Sequence, residues 1–377
     1  MRVLSIFGTR PEAVKMAPVV KALAKESGIH SHICVTGQHR EMLTQVLELF
    51  DIHPDYDLAV MRPNQGLNGL TTRVIDKLDT ILADTNPDMI LAHGDTTTAM
   101  AAGLAAFHRG IKIGHVEAGL RTYDVTRPWP EEMNRRVLDV VSTKLFAPTE
   151  QSAQNLKQEK LNGEIIITGN TVIDALFLTV DKIANDPVLK SQLDEQFSFI
   201  NPKNRLLLVT GHRRESFGDG FSNICKALAE LSKRPDIDIV YPVHLNPNVD
   251  GPVRESLAGC HNVHLIKPLD YLLFVYLMQR SDIILTDSGG VQEEAPSLGK
   301  PVLVMRDVTE RPEAVAAGCV KLVGTDKKQI IENVNQLLDD KNHYASFARK
   351  INPYGDGKAS QRIVSSLLGE PFKQFIP

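Results

Sequence analysis

Twelve short apolar runs, rich in β-branched residues, recur along the sequence with stretches of helical spacing between them. They fall at 3–7, 33–36, 89–92, 111–116, 145–147 and 165–168 in the first half, and at 206–210, 237–241, 263–266, 283–286, 301–305 and 320–323 in the second. Such runs read as strands, and helical crossovers between them imply parallel sheets. An α/β fold is expected. At 377 residues the chain exceeds one ordinary core, and six runs in each half imply two similar Rossmann-like domains.

Between the halves, NDPVLKSQLDEQFSFINPKNR (185–205) is polar, carries two prolines and fits neither period, so a linker is expected near it. The expected domains are residues 1–170 and 171–355. Residues 356–377 restart as a helix after the turn NPYGDG and are expected to fold back on the first domain. The net charge of -4 argues against a nucleic-acid or anionic-membrane surface, and 42% hydrophobic with 23% charged residues suits a globular enzyme acting on small molecules. No window nears the roughly 18 apolar residues of a membrane span, and MRVLSIFG reads as a first strand, not a leader. Cys34, Cys225, Cys260 and Cys319 lie too far apart for a zinc knuckle or a disulfide framework, which fits a reducing cytoplasm.

TDSGGVQEEAPSLGKP (286–301) follows an apolar run and turns at once into a helical pattern, as a phosphate cradle does. In Ser288-Gly289-Gly290 the backbone can approach an anion closely, and the helix beyond offers unpaired amides and its positive end, so a diphosphate fits there. Glu294 lies one turn deeper on the Gly290 face, placed for a ribose diol, whereas Glu293 points elsewhere and reads as a partner of the helix dipole. There is no G-x-G-x-x-G, and GDGKAS (355–360) lacks P-loop spacing, so no dinucleotide cofactor is expected.

RPEAV occurs at 10–14 and again at 311–315, each time with Pro where a helix begins and an arginine at the mouth of a turn. At the carboxyl ends of strands, one per domain, Arg10 and Arg311 would clamp an anion in the cleft. TGHRRES (210–216) either adds His212, Arg213 and Arg214 opposite Arg10 and Lys15 or is a solvated loop. HGDTTTA (93–99) and GHVEAGLRT (114–122) each end an apolar run in a His and a carboxylate. Asp95 either caps the helix starting at Thr96 or belongs to the site. Glu117 precedes Ala-Gly, which is no cap pattern, and Glu131 in RPWPEEMNRR reads equally as a first-turn helix glutamate.

Taken in order, FGTRPEAVKMAP, TGQHREML, HGDTTT, GHVEAGLRT, WPEEMNR, ITGNTVIDAL, LVTGHRRESFG, YPVHLNPNV, LTDSGGVQEEAPSLGKPVLVMRD and TERPEAV resemble the bacterial non-hydrolysing UDP-N-acetylglucosamine 2-epimerases, from about residue 1 to about residue 368. The resemblance implies a fold like the glycosyltransferase B class, with two Rossmann-like domains whose parallel sheets face a cleft. It also implies a homodimer without metal or cofactor that interconverts UDP-N-acetylglucosamine and UDP-N-acetylmannosamine, supplying N-acetylmannosamine for surface polysaccharide. Matched motif by motif, it implies catalytic roles for Asp95, Glu117, Glu131 and His212. Binding of the nucleotide sugar and UDP falls to Arg10, Lys15, Arg213, Phe274, Ser288, Gly289, Gly290, Glu294 and Arg311, and a second, allosteric substrate site to Gln38 and His39. Two positions depart from the family: Leu269 stands where a polar residue is expected, and Glu41 where some relatives have glutamine.

The chemistry explains the number of carboxylates. Carbon 2 of the sugar is not next to a carbonyl, so UDP must leave first to give 2-acetamidoglucal, and inversion then needs acid/base groups on both faces. The departing diphosphate needs fixed positive charge. A glycosyltransferase of the same fold would share the UDP site without needing those carboxylates. A metal-dependent one would use Asp-x-Asp, but Asp55-Tyr56-Asp57 and Asp236-Ile237-Asp238 each follow a proline and read as turn acids. A hydrolysing epimerase is the nearest rival. A non-catalytic nucleotide-sugar sensor is the most distant, since mere binding has no use for so many ionisable groups.

Overall fold

A computed structural model describes residues 1–37, 40–62, 65–211, 219–243, 247–348 and 351–377. The chain divides into two compact units, one of Met1–Ala175 with Tyr354–Ile376 and one of Leu176–Pro353.

The first unit runs β1 (Arg2–Phe7), α1 (Arg10–Lys25), β2 (His30–Val35), α2 (Arg40–Leu49), β3 (Tyr56–Asp57), α3 (Leu67–Thr85), β4 (Met89–His93), α4 (Thr97–His108), β5 (Lys112–Val116), α5 (Glu131–Val141), β6 (Lys144–Ala147), α6 (Glu150–Gln158) and β7 (Glu164–Ile167), then enters α7 (Thr171–Asn185). Its described strands form one parallel sheet in the order β3-β2-β1-β4-β5-β6-β7. Strand order reverses between β1 and β4, the kind of point where open α/β sheets bind ligands. Ile6 pairs with Ala92, which brings the loops after β1 and β4 level with each other.

The core follows from side-chain spacing. α3 buries Leu70, Val74, Leu78 and Leu82, each four residues from the last, in one cluster with Leu4, Ile6, Ile90 and Ala92 of the sheet. Each such leucine contributes about 1.5–3 kcal/mol. α4 meets the same layer with Ala99, Ala102, Ala105 and Ala106, small enough for close approach. After β5, Gly119 has φ 88°, and a Cβ there would run into the Ser152 carbonyl oxygen, so only glycine fits. β3 is not among the expected strands. It is two residues long, and its own Asp57 acts as the turn acid it resembles, accepting from the Ala59 amide at 2.9 Å, whereas Asp55 accepts from the Ile33 amide of β2 at 2.8 Å.

The second unit continues with α8 (Pro187–Gln196), β8 (Arg205–Thr210), α9 (Asp219–Leu231), β9 (Ile237–Pro242), α10 (Pro247–Leu257), β10 (Val263–Ile266), α11 (Tyr271–Arg280), β11 (Ile283–Thr286), α12 (Gly289–Glu294), β12 (Val302–Val304), α13 (Pro312–Ala316), β13 (Val320–Leu322), α14 (Lys327–Asp339) and α15 (Lys341–Ala348). Its described strands are parallel in the order β10-β9-β8-β11-β12-β13, reversing between β8 and β11. Its core joins Leu207, Val209, Ile239, Ile283 and Leu285 to Phe221, Ile224 and Leu228 of α9 and Ile330, Val334 and Leu337 of α14. The stretch expected to be linker holds α8. Asp186 caps that helix by accepting from the Leu189 amide at 3.0 Å, and of its residues only Leu193 is buried, so it carries no apolar stripe to betray it.

The tail returns to the first unit as α16 (Ala359–Leu368), packed against α1. Asp174 of α7 caps it from outside, accepting from the amides of Ala359 (3.2 Å) and Ser360 (2.8 Å) and from Ser360 Oγ (2.6 Å). Among the described residues no helix is long and apolar enough to cross a membrane.

Candidate active site

In the first unit the loop after β1 is locked by a capping box. Thr9 Oγ1 accepts from the Glu12 amide (3.5 Å), while Glu12 Oε2 accepts from the amides of Gly8 (2.9 Å) and Thr9 (2.7 Å). The other Glu12 oxygen accepts from Thr96 Oγ1 at 2.6 Å. A buried carboxylate thus ties the Arg10 loop to the Asp95 loop. Burial raises the Glu12 carboxyl, and these hydrogen bonds work against the rise.

Thr96 is the cap of α4, accepting from the Ala99 amide at 3.1 Å. Asp95 therefore does not cap. Its carboxylate accepts from Arg135 Nη2 at 2.5 Å and its carbonyl from Asn134 Nδ2 at 2.9 Å, both on α5. Burial raises the Asp95 carboxyl, Arg135 pulls it back, and the charges of Glu117 and Glu131 push it up again. Three carboxylates share one electrostatic neighbourhood.

Glu117 follows β5 with φ 70°, a left-handed conformation that costs a non-glycine residue roughly 1–2 kcal/mol. Its Oε2 accepts from Lys15 Nζ and from Asn170 Nδ2 (3.1 Å) and lies 3.9 Å from His93 Nε2. His93 is 3% exposed, and among the described residues neither of its ring nitrogens has a hydrogen-bond partner. Burial, helped by Lys15 and His115 against the pull of Glu117, drives its imidazole down to about 3. Glu131 is the first residue of α5, and the adjoining Glu132, fully buried, accepts from the amides of Thr122 (3.0 Å) and Tyr123 (3.1 Å).

In the second unit the Ser288 amide turns back to Thr286 Oγ1 at 2.9 Å, leaving the Gly289 and Gly290 amides in the first turn of α12, where a helix has no acceptor of its own. Glu294 accepts from Tyr271 Oη at 2.6 Å, and its other oxygen lies 3.8 Å from where a Cβ on Gly290 would stand, so the carboxylate covers that face. Phe274 is one turn along α11 from Tyr271. Glu293 is not a helix-dipole partner. Its Oε1 accepts from Arg311 Nε. The Arg311 amide donates to Thr309 Oγ1 (3.1 Å), whose hydroxyl donates to Gln292 Oε1 (2.6 Å), and the guanidinium is thereby held over Gly289. The two RPEAV copies also differ: Arg10 is the first residue of α1, whereas Arg311 is itself the cap of α13.

His212 and Arg213, and likewise Gln38 and His39, lie outside the described residues. The sequence reading missed Glu12, Arg135, Asn170 and Tyr271. Only Glu12 carries a local signal, the Thr-x-x-Glu spacing of a capping box.

Residues 21–368 match the family described as UDP-N-acetylglucosamine 2-epimerase. The chain is 58% identical over 369 residues to the UDP-N-acetylglucosamine 2-epimerase of Escherichia coli K12 and 57% identical to that of Yersinia pestis, covering 97% of this chain and 98% of each relative. It is similar to the crystal structure of UDP-GlcNAc 2-epimerase from Neisseria meningitidis bound to UDP-GlcNAc, at 54% identity and TM-score 0.88, with 98% of this chain and 100% of that one covered. The Methanocaldococcus jannaschii UDP-GlcNAc 2-epimerase, solved in complex with UDP-GlcNAc and UDP, matches at 33% identity and TM-score 0.78 over 98% of this chain and 100% of that one. The two parallel-sheet units are accordingly of glycosyltransferase B type. Matched in sequence and in structure over nearly its whole length, the chain belongs to the UDP-N-acetylglucosamine 2-epimerases, a family of isomerases.

Proposed function

We propose that the enzyme converts UDP-N-acetylglucosamine reversibly to UDP-N-acetylmannosamine by eliminating UDP and adding it back. The observation that carries this reading is that the charges of Glu117 and Glu131 both reach Asp95, with Lys15 on Glu117 and Arg135 on Asp95. One group takes the carbon 2 proton. The electrons of that C–H bond become the C1=C2 bond of 2-acetamidoglucal, and the C1–O electrons leave with UDP. In return an acid on the opposite face protonates carbon 2 as a diphosphate oxygen re-forms the bond to carbon 1. No electrons are gained or lost over the cycle.

A lysine ammonium on a carboxylate favours its ionised form, which suits Glu117 to take a proton, and a raised carboxyl suits Asp95 to hold one. Glu131 and His212 complete the acid/base set. Arg10, Lys15, Arg213, Arg311 and the Ser288, Gly289 and Gly290 loop are assigned to the phosphates, Glu294 to the ribose, and Phe274 to the nucleotide. The reading extends to a homodimer, to activation by substrate through Gln38 and His39, and to use of the product as a source of N-acetylmannosamine for surface polysaccharide.

Incubation with UDP-N-acetylglucosamine alone in deuterium oxide, followed by chromatography and mass spectrometry, tests the reading. UDP-N-acetylmannosamine labelled at carbon 2 is expected, with a slow leak of 2-acetamidoglucal and UDP. Glu117→Gln and Glu131→Gln should each slow turnover by at least about 100-fold, the low end for one acid/base group. Free N-acetylmannosamine would make the enzyme hydrolysing, and unlabelled product with no glycal would remove elimination.

A further inference from the structure

Beneath the Asp95 turn lies a buried charged chain that the proposed chemistry leaves without a task. His115, on β5 two residues before Glu117, is fully buried. Its Nδ1 is 2.6 Å from Asp139 Oδ1 and its Nε2 is 2.8 Å from the Gly94 carbonyl oxygen. Both partners are acceptors. A peptide carbonyl carries no hydrogen. Burial alone would raise the Asp139 carboxyl, but His115 and Arg121 outweigh it and hold the group below the usual carboxylate range. Arg121 Nη2 lies 2.7 Å from Asp139 Oδ2 and, with Nε, grips Glu159 at 2.7 and 2.8 Å. Arg121 thus stands between two carboxylates, Asp139 and Glu159, with His115 against the first of them. The Gly94 carbonyl can only accept, so Nε2 is the ring nitrogen that carries a hydrogen towards it.

The chain ends on the turn that presents Asp95. Gly94 has φ 68°, its amide donates to the Val116 carbonyl at 2.9 Å, and its carbonyl accepts from His115, so β5 grips this peptide on both sides. Asp95 is held in turn by Asn134 and Arg135 of α5, the helix that also supplies Asp139. We propose that His115 is a positioning residue, a strut whose Nε2 hydrogen bond to the Gly94 carbonyl fixes that turn and so sets the place of the Asp95 carboxylate. Its effect on turnover rests on the proposed epimerisation, whereas the strut itself rests on the geometry.

Two substitutions in the full-length enzyme separate the strut from simple packing. In His115→Gln the side-chain amide reaches the place of Nε2 and keeps the bond to Gly94. In His115→Asn it reaches only the place of Nδ1 and loses that bond. His115→Asn is expected to lower kcat by roughly 10- to 100-fold, the scale of a misplaced reacting group, with KM changed less than about twofold. Hydrogen exchange read by mass spectrometry should speed up at residues 94–96. His115→Gln should restore both towards wild type. Equal damage in the two variants, or unchanged exchange and kcat in His115→Asn, would overturn the proposal. Should His115→Asn fail to fold, Asp139→Asn decides: a neutral ring keeps its Nε2 hydrogen on Gly94, so slow exchange at 94–96 is expected, and fast exchange there would sink the strut. A wild-type enzyme that does not epimerise would end the proposed function and leave the exchange result to judge the strut.

Discussion

Lys15 of α1 donates to Glu117, in the turn after β5, and the oxygen it chooses also accepts from Asn170 at 3.1 Å and lies 3.9 Å from His93. Lys15 thus sets a positive charge directly on that carboxylate. Lys15→Met keeps the aliphatic stem and removes the charge. It is expected to lower kcat/KM by about 30- to 150-fold, equivalent to about 2–3 kcal/mol for a hydrogen bond to a charged group. Asn170→Ala, which removes a neutral donor, should cost less. Steady-state kinetics on variants with wild-type circular dichroism decide it, and a wild-type rate in Lys15→Met would take the pair out of the mechanism.

Arg311 is held over Gly289 by Glu293, so it arrives at the α12 loop already oriented. Arg311→Ala should weaken UDP binding by about 1.5–3 kcal/mol. Glu293→Gln keeps the arginine but loosens its hold, and should weaken UDP binding by a smaller amount in the same direction. Titration calorimetry with UDP measures both, and unchanged affinity in Arg311→Ala would remove it from the nucleotide site.

His93 makes the fold sensitive to acid. Unfolded, its imidazole titrates near 6.5; folded, burial holds it down at about 3. Between those values the unfolded chain binds a proton that the folded chain refuses, so stability rises with pH across the window and is lost as pH falls below about 6.5. Two pH units into it, the loss is roughly 2–3 kcal/mol. Denaturation of wild type and His93→Gln at pH 7 and pH 4.5 should show the variant losing less. Equal losses would place the acid sensitivity elsewhere.

Activation through Gln38 and His39 predicts a kinetic lag in one direction only. With UDP-N-acetylmannosamine as sole substrate, conversion should start slowly and accelerate when a trace of UDP-N-acetylglucosamine is added. Replacing both residues with alanine should abolish the acceleration. Full initial speed without the trace would dispose of the second site.

What could be read from the sequence was whatever is local. The central strands announce themselves because a parallel strand buried on both faces is mostly apolar, as at 283–286 and 89–92. β3 and α8 do not, one being only Tyr56 and Asp57 and the other a helix that buries a single leucine. At the site, spacing alone puts Glu294 on the Gly290 face. The task of Glu293 depends on Arg311, eighteen residues away, and so was misread. Asp95 was ambiguous because Thr96 beside it offers the same capping chemistry, and only the fold shows which of the two caps. Arg135 and His115 stand inside RPWPEEMNRR and GHVEAGLRT, but their partners Asp95 and Gly94 follow another strand, so spacing does not pair them.

Asn170 gives the tail a further meaning in the order of synthesis. Its backbone amide donates to the Tyr354 carbonyl at 2.6 Å while its side chain donates to Glu117, and four residues on, Asp174 waits for Ser360. A ribosome makes residues 354–376 only after Leu176–Pro353 has been synthesised. Until then the first unit has a sheet but lacks the strand of contacts that steadies Asn170, and the buried Asp174 carboxylate has no amides to receive. The nascent first unit is thus held short of completion, and a chain cut before Tyr354 would be impaired at Glu117, far from the cut in sequence.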